Sequence, residues 1–403
     1  MTGTARFGLK SLIIAAAMVL APLPALADRN FQAWINNFQP VAAKAGITQK
    51  TYNTAFAGVS EPDPEVLRKA TYQPEFTTKV WDYLDSRVNP HTVANGRKMA
   101  AEYSRLLAGI EKRFNVNRYV ILAIWSMESN YGSVLENPER LHSVPRALAT
   151  LAYADPKRSN YAQKQLIAAL KILQSGDISL RNLTGSWAGA MGHTQFIPTS
   201  YLLYAYDADG DGKRDIWHSV PDALATAANL LSKNGWQGGK TWGYETVVPA
   251  SAARFAGKTK TLSEWAALGL VRPSGKPFPR GDERAQLKMM GGPNGPGFLM
   301  MKNFFVIKNY NASDSYALAV GLLADEIAGH GGMQQRWPRP AGSMDMKDKF
   351  ELQTRMKALG YYNGEVDGNF GSGSKAAIST IQSRLGLPAD GEPSLQLLER
   401  LRR

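Results

Sequence analysis

A mainly α-helical protein built in more than one domain is predicted by three features of this 403-residue sequence. Apolar residues recur at helical spacing over 105–131, 151–174, 221–233 and 314–327. The stretch 235–300 interrupts that pattern with many Gly and Pro and with short runs such as Glu245-Thr-Val-Val-Pro249, and reads as a small β-containing insertion. Finally, Arg336-Trp-Pro-Arg-Pro-Ala-Gly-Ser343 cannot continue a helix, so 336–345 reads as a linker to a separate unit over 346–403.

Composition excludes several classes. Hydrophobic residues make up 44% and charged residues 20%, values that let most of the chain fold. There is no cysteine, which removes disulfides, thiol nucleophiles and lipid attachment at an N-terminal cysteine. The net charge is +13. For an exported chain this favours an anionic wall polymer or membrane surface over nucleic acid. The five histidines, His91, His142, His193, His218 and His330, are scattered, with no His-Glu-x-x-His pattern for zinc. No Gly-x-Ser-x-Gly elbow and no Walker loop occurs.

The elements follow in order. Arg6 and Lys10, the apolar run Leu12–Leu20, the breakers Pro22 and Pro24, and Ala25-Leu26-Ala27 together predict a signal peptide over 1–27. No later stretch approaches the ~20 apolar residues of a membrane span, so a protein that does not span the membrane is expected. Residues 30–104 mix helical periodicity with Pro-containing turns. The segment 117–132 (NRYVILAIWSMESNYG) reads as one helix, with Asn117 as N-cap and Gly132 as stop. Glu128 follows Val120, Ile121 and Ile124 at spacings that put it on their apolar face. Burial there raises a carboxyl pKa, and a raised pKa suits an acid that protonates a leaving oxygen. A structural ion pair with a basic neighbour would account for the same residue.

Further along, Ser186-Trp-Ala-Gly-Ala-Met-Gly-His-Thr-Gln-Phe-Ile-Pro198 combines small residues with Gln195 and Phe196. Glycines admit close backbone approach, and a Gln amide both donates and accepts. Glu128-Ser-Asn-Tyr-Gly132, Ser186-Trp-Ala-Gly-Ala-Met-Gly192, Gln195-Phe196-Ile-Pro198 and Asn309-Tyr-Asn-Ala-Ser313, in that order, resemble the lytic murein transglycosylase B family. The resemblance covers roughly 30–329.

This resemblance implies a lysozyme-like helical catalytic region over 28–335. It implies an enzyme cleaving the MurNAc–GlcNAc bond of peptidoglycan glycan strands, its partner, and leaving 1,6-anhydro ends. One glutamate, Glu128, serves as acid and then base, with no cofactor for the chemistry. Ser186, Gln195, Phe196, Tyr310, Asn311 and Tyr316 match positions that line the family's cleft. Tyr83 matches a tyrosine upstream, and Arg158, in Lys157-Arg158, a basic position. For any one tyrosine, ordinary half-buried packing is the plain alternative. A typical glycosidase needs two carboxylates. Glu136 and Glu139 fall in the loop after the helix and read as solvated, so a substrate-assisted route fits better than a muramidase that adds water. A non-catalytic wall-binding scaffold is the remaining alternative.

Two motifs stand apart. Asp207-Ala-Asp-Gly-Asp-Gly-Lys-Arg-Asp215 has acids at positions 1, 3, 5 and 9 and Gly at 6 of an EF-hand-like loop. His218 occupies position 12, and Asp222 is the candidate to close an enlarged loop, as relatives in the resembled family do. The expected set for a structural Ca2+ is Asp207, Asp209, Asp211, Lys213, Asp215 and Asp222. An Asp/Gly turn binding nothing is the alternative. At the C-terminus, Leu352-Gln353, Leu359-Gly-Tyr-Tyr-Asn-Gly-Glu-Val-Asp-Gly-Asn-Phe-Gly371, Ala376-Ala377 and Gln382 resemble a three-helix peptidoglycan-binding domain.

Overall fold

The structure, a computed structural model, describes residues 25–71 and 78–403. The expected signal peptide lies outside them, except that residues 25–27 open the first helix. Helices α1 (Ala25–Lys44), α2 (Gln49–Phe56), α3 (Pro64–Thr71), α4 (Val80–Arg87) and α5 (Pro90–Glu102) come first in the chain. The periodic stretch 105–131 is two helices, α6 (Ser104–Phe114) and α7 (Arg118–Ser129). Asn115 separates them in a left-handed conformation, φ 55°, one that asparagine tolerates better than most residues.

The stretch 151–174 is likewise divided, between α8 (Val144–Ala154) and α9 (Ser159–Ser175). Pro156 in the intervening turn cannot extend a helix. Next come α10 (Pro198–Tyr204) and α11 (Val220–Lys233), the latter with Pro in its first turn and the Ser219 side chain as cap. Residues His142–Ser143 (β1) and Thr184–Gly185 (β2) pair in a minimal antiparallel ladder.

The insertion is a four-stranded antiparallel sheet with β3 (Gly243–Thr246), β4 (Thr259–Thr261), β5 (Arg284–Met289) and β6 (Gly297–Met300) in the order β3-β6-β5-β4. All four residues of β6 are buried. Helices α12 (Ala250–Ala253) and α13 (Leu262–Ala267) cover the sheet, and Trp265 at their centre is fully buried with its indole N–H on Ala285 O at 2.9 Å. α14 (Lys302–Ile307) leads back to α15 (Asp314–Ile327).

α7 and α15 are the axis of the main core. Every residue of α7 from Val120 to Met127 is buried, so this helix is apolar all round and no single stripe marks its core face. Glu128 therefore owes its setting to its place at the end of a central helix. The C-terminal unit has its own core, built from α16 (Met346–Ala358), α17 (Ser372–Arg384) and α18 (Leu395–Arg402), with Leu352, Met356, Ile378 and Leu397 at its centre. Among the described residues no helix is long and apolar enough to cross a membrane.

Candidate active site

The end of α7 is built by three successive left-handed residues. Asn130 (φ 48°), Tyr131 (φ 57°) and Gly132 (φ 92°) turn the chain sharply after Ser129, so the helix stops two residues earlier than a Gly132 stop would give. Such a run is costly for a tyrosine and marks a constrained segment. Gly132 is required there, because a Cβ would lie 2.4 Å from the His193 ring.

Glu128 projects from this last turn and is half-buried. Its Oε1 accepts a hydrogen bond from Tyr316 Oη at 2.6 Å. Burial pushes the Glu128 carboxyl up to about 7, against the opposing pull of the Tyr316 hydroxyl and the Arg87 charge. Tyr316 lies in the first turn of α15, where the Ser313 side chain caps the helix and fixes the tyrosine's backbone. Tyr310 stacks parallel to Tyr316, with centroids 6.5 Å apart, and donates from Oη to Thr194 O at 2.6 Å. Burial raises both phenols well above their ordinary range, and the nearby Glu128 charge adds to it. They remain neutral donors at any working pH.

The segment 186–198 is a compact double turn. Gly185 and Met191 bridge, as do Met191 and Phe196, and the Ser186 hydroxyl accepts from Ala190 N. Gly192 (φ 67°) passes so close to Ile216 that a Cβ would meet the Ile216 carbonyl at 2.4 Å. Gln195 is held left-handed at φ 50° and donates from its side-chain amide to Gly192 O at 2.9 Å. Phe196 is only 3% exposed and meets Tyr310 edge-on, with centroids 5.5 Å apart, so it reaches the cleft through Tyr310.

The sequence shows His193 only as one of five scattered histidines, yet it fastens this segment to the helix that bears Glu128. Its ring accepts from Trp125 Nε1 at 3.2 Å, its carbonyl accepts from Ser129 Oγ at 2.6 Å, and its N–H donates to Ile216 O at 2.9 Å. Burial lowers its pKa to about 4, so the ring stays neutral as an acceptor.

On α4, Tyr83 is raised by burial and feels the Glu128 charge. Arg87, one turn on, lies over the Tyr83 ring at 5.9 Å and faces the same acid. Arg87 was not anticipated, although its i+4 spacing from Tyr83 was a signal. The structure thus joins Glu128, Tyr316, Tyr310, Phe196 and Tyr83, with Gln195 and Ser186 on the adjoining turn. Asn311 is exposed and accepts from Ser313 N within its own loop. Arg158 is engaged elsewhere, bonded to Asp155 and to Ala70 O, and stacked over Trp187 at 5.4 Å. Glu136 and Glu139 are exposed.

In the acidic loop, carboxylate oxygens of Asp207, Asp209 and Asp211 lie within 4.8 Å of one another. Asp215 and Asp222 are directed differently. Asp215 accepts from Trp217 N and His218 N. Asp222 is fully buried, and its two oxygens accept from Ala208 N and Asp215 N at 2.8 Å each. It ties the loop to α11.

Residues 30–325 match the Transglycosylase SLT domain. The chain belongs to this transglycosylase family. Residues 348–401 match the putative peptidoglycan binding domain. The membrane-bound lytic murein transglycosylase B of Escherichia coli (strain K12) is 31% identical over 247 residues, which are 61% of this chain and 66% of that protein. The crystal structure of SltB3 from Pseudomonas aeruginosa in complex with NAG-anhNAM-pentapeptide superposes with a TM-score of 0.73 at 44% identity, covering 93% of this chain and 99% of that one. The Escherichia coli lytic transglycosylase Slt35 in complex with calcium does so with a TM-score of 0.62 at 27% identity, covering 75% and 93%. The resemblance of the transglycosylase motifs and that of the C-terminal unit are both borne out, as is the lysozyme-like, mainly helical fold class.

Proposed function

We propose that this transglycosylase cleaves the MurNAc–GlcNAc β-1,4 bond of peptidoglycan in the periplasm and leaves 1,6-anhydro-MurNAc ends, with Glu128 as sole acid and base. The observation that carries this reading is a carboxyl held near pKa 7 by burial, with Tyr316 bonded to it. Near neutral pH such a group both donates and recovers a proton. In the first step Glu128 protonates the leaving O4 of GlcNAc as the C1–O4 bond breaks. The substrate's 2-acetamido group supports the cationic C1. In the second step the muramyl C6 hydroxyl attacks C1, and its proton passes to Glu128, which returns to its starting form. No water enters, so the two products together weigh what the substrate did.

Among the described residues, Tyr83, Arg87, Tyr310 and Tyr316 are the titratable and charged groups acting on Glu128 or acted on by it, and none is a carboxylate. That no carboxylate among the described residues acts on Glu128 favours a substrate-assisted route over one that adds water. By the motifs they occupy we assign Ser186, Gln195 and Asn311 to substrate binding, with Phe196 backing Tyr310, while Arg158, held by Asp155, Ala70 O and Trp187, is assigned to supporting that region. SltB3 in its complex carries NAG-anhNAM-pentapeptide, which supports the product class. Mass analysis of muropeptides released from purified peptidoglycan tests the reading. Anhydro ends are expected, and reducing ends one water heavier would mean a hydrolase.

The acidic loop fits a structural Ca2+, since three hard-oxygen ligands converge. Asp207, Asp209 and Asp211 would supply carboxylates, and Slt35 is described in complex with calcium. The loop runs into Ile216, whose carbonyl holds His193. Bound cation would therefore stiffen the back of the 186–198 turn without taking part in chemistry. Millimolar CaCl2 is expected to raise the melting temperature by about 5 °C over EDTA. Asp209→Asn should shrink that difference to near zero in the same calorimetric scan.

A further inference from the structure

The segment 336–345 is strapped to the catalytic region. Trp337 and Val80 of α4 both come within 3.3 Å of where a Cβ on Gly291 would lie. Glu245 accepts from Gln334 N and Gln335 N at the start of the strap. The strongest fastening is at Asp85, 7% exposed on α4. One of its oxygens accepts from Arg339 Nη2 at 2.7 Å and the other from Lys349 Nζ at 3.1 Å. Arg339 belongs to the strap and also lies 3.7 Å from Asp82, while Lys349 belongs to α16 of the C-terminal module.

α4 has only eight residues. A helix that short takes its position from its contacts, not from its own stability. At 100° per residue Asp85 lies opposite Tyr83 and Arg87, which share a face one turn apart. The Asp85 side of α4 therefore meets Arg339 of the strap and Lys349 of the module, and Val80 at the helix start adds its contact near Trp337. The other side presents Tyr83 and Arg87 to Glu128.

We propose that Asp85, Arg339 and Lys349 form a positioning latch, through which the C-terminal module sets the wall that α4 presents to Glu128. The inference rests on the function proposed above, and it gives the module a part in catalysis beyond attachment to the wall. Cutting the latch leaves buried charge without its partners, so α4 has to move or admit water. Among the described residues, the groups facing Glu128 are Tyr316 and Tyr310 from the α15 side and Tyr83 and Arg87 from α4. Burial is the largest influence on the acid and Arg87 opposes it more weakly. Opening the α4 wall therefore lowers the Glu128 pKa toward the ordinary carboxyl value.

The test uses the full chain with 13C-labelled glutamate, titrated by NMR without substrate, alongside the pH profile of peptidoglycan cleavage. Asp85→Asn and the paired Arg339→Ala/Lys349→Ala variant are expected to lower the Glu128 midpoint by about half a pH unit or more. The alkaline limb of cleavage should move down with it. Asp85→Glu, which keeps the charge, should bring the midpoint most of the way back to the wild-type value. Should Asp85→Asn not fold, Lys349→Ala carries the test with the same direction of shift, because Lys349 is partly exposed and Arg339 still pairs with Asp85. A midpoint unchanged or raised in folded variants overturns the latch. If no protein, wild type included, cleaves peptidoglycan while the midpoint still falls, the latch stands and the proposed function fails.

Discussion

Glu128→Gln is expected to lower the release of anhydro-muramyl products from purified peptidoglycan by about 10³-fold or more, in a protein that still folds. General acid–base catalysis contributes on the order of 10²–10⁴ in rate, and here one group performs both proton transfers. The glutamine keeps the shape and still accepts the Tyr316 hydroxyl, so the 2.6 Å contact survives while the proton is lost. Stability should move the other way. A carboxyl at about 7 in the folded state, against its ordinary 4.5 when unfolded, holds its proton more tightly in the fold. The stability it lends is fully present below the unfolded value and is lost as pH rises through about 7. At pH 8 the glutamine variant should therefore melt about 2–5 °C above wild type, with little difference near pH 4. A variant that cleaves at wild-type rate would remove Glu128 from the chemistry.

Tyr316→Phe should cost about 10- to 100-fold in kcat, the scale of one hydrogen bond to a charged group. Its diagnostic effect is on pH dependence. The phenol stabilises the Glu128 carboxylate and holds the pKa down against burial. Without it the pKa rises, so the proton-donating form persists to higher pH and the alkaline limb moves upward. The first step suffers in the same variant, because a weaker acid gives up its proton less readily to the leaving oxygen. Cleavage rates at closely spaced pH values would check this. A limb that stays in place would mean the tyrosine only packs. The upward shift here and the downward shift expected on cutting the Asp85 latch separate a lost hydrogen bond from a lost wall.

Much of the catalytic helix was legible in the sequence. Asn117 caps α7 as its residue type suggests, accepting from Tyr119 N and Val120 N. Burial does raise Glu128 as an acid near apolar residues should be raised. The stripe argument was too narrow, because α7 is enclosed on every side and its end, not its face, opens to the cleft. The divisions at Asn115 and Pro156 were visible as residue types, but periodicity ran through them and hid two turns. His193 left no local signal. Its partners Trp125, Ser129 and Ile216 are remote in the chain, and nothing near position 193 announces them. Phe196 and Asn311 show the converse: their motifs were plain, while burial of one and exposure of the other were not.

By itself the sequence determined what short-range chemistry can encode. Helical spacing, cap residues, Gly and Pro breaks and the order of motifs specified a mainly helical transglycosylase region, a small sheet, a separate C-terminal unit and Glu128 as the candidate acid. The tertiary structure decided which distant groups meet. It brought Tyr316 to Glu128 across 188 residues, and Arg339 and Lys349 to Asp85 across more than 250. The reason is physical: a residue's propensity acts through its own backbone and near neighbours, whereas a pKa or a latch depends on burial and partners that exist only once the chain has folded.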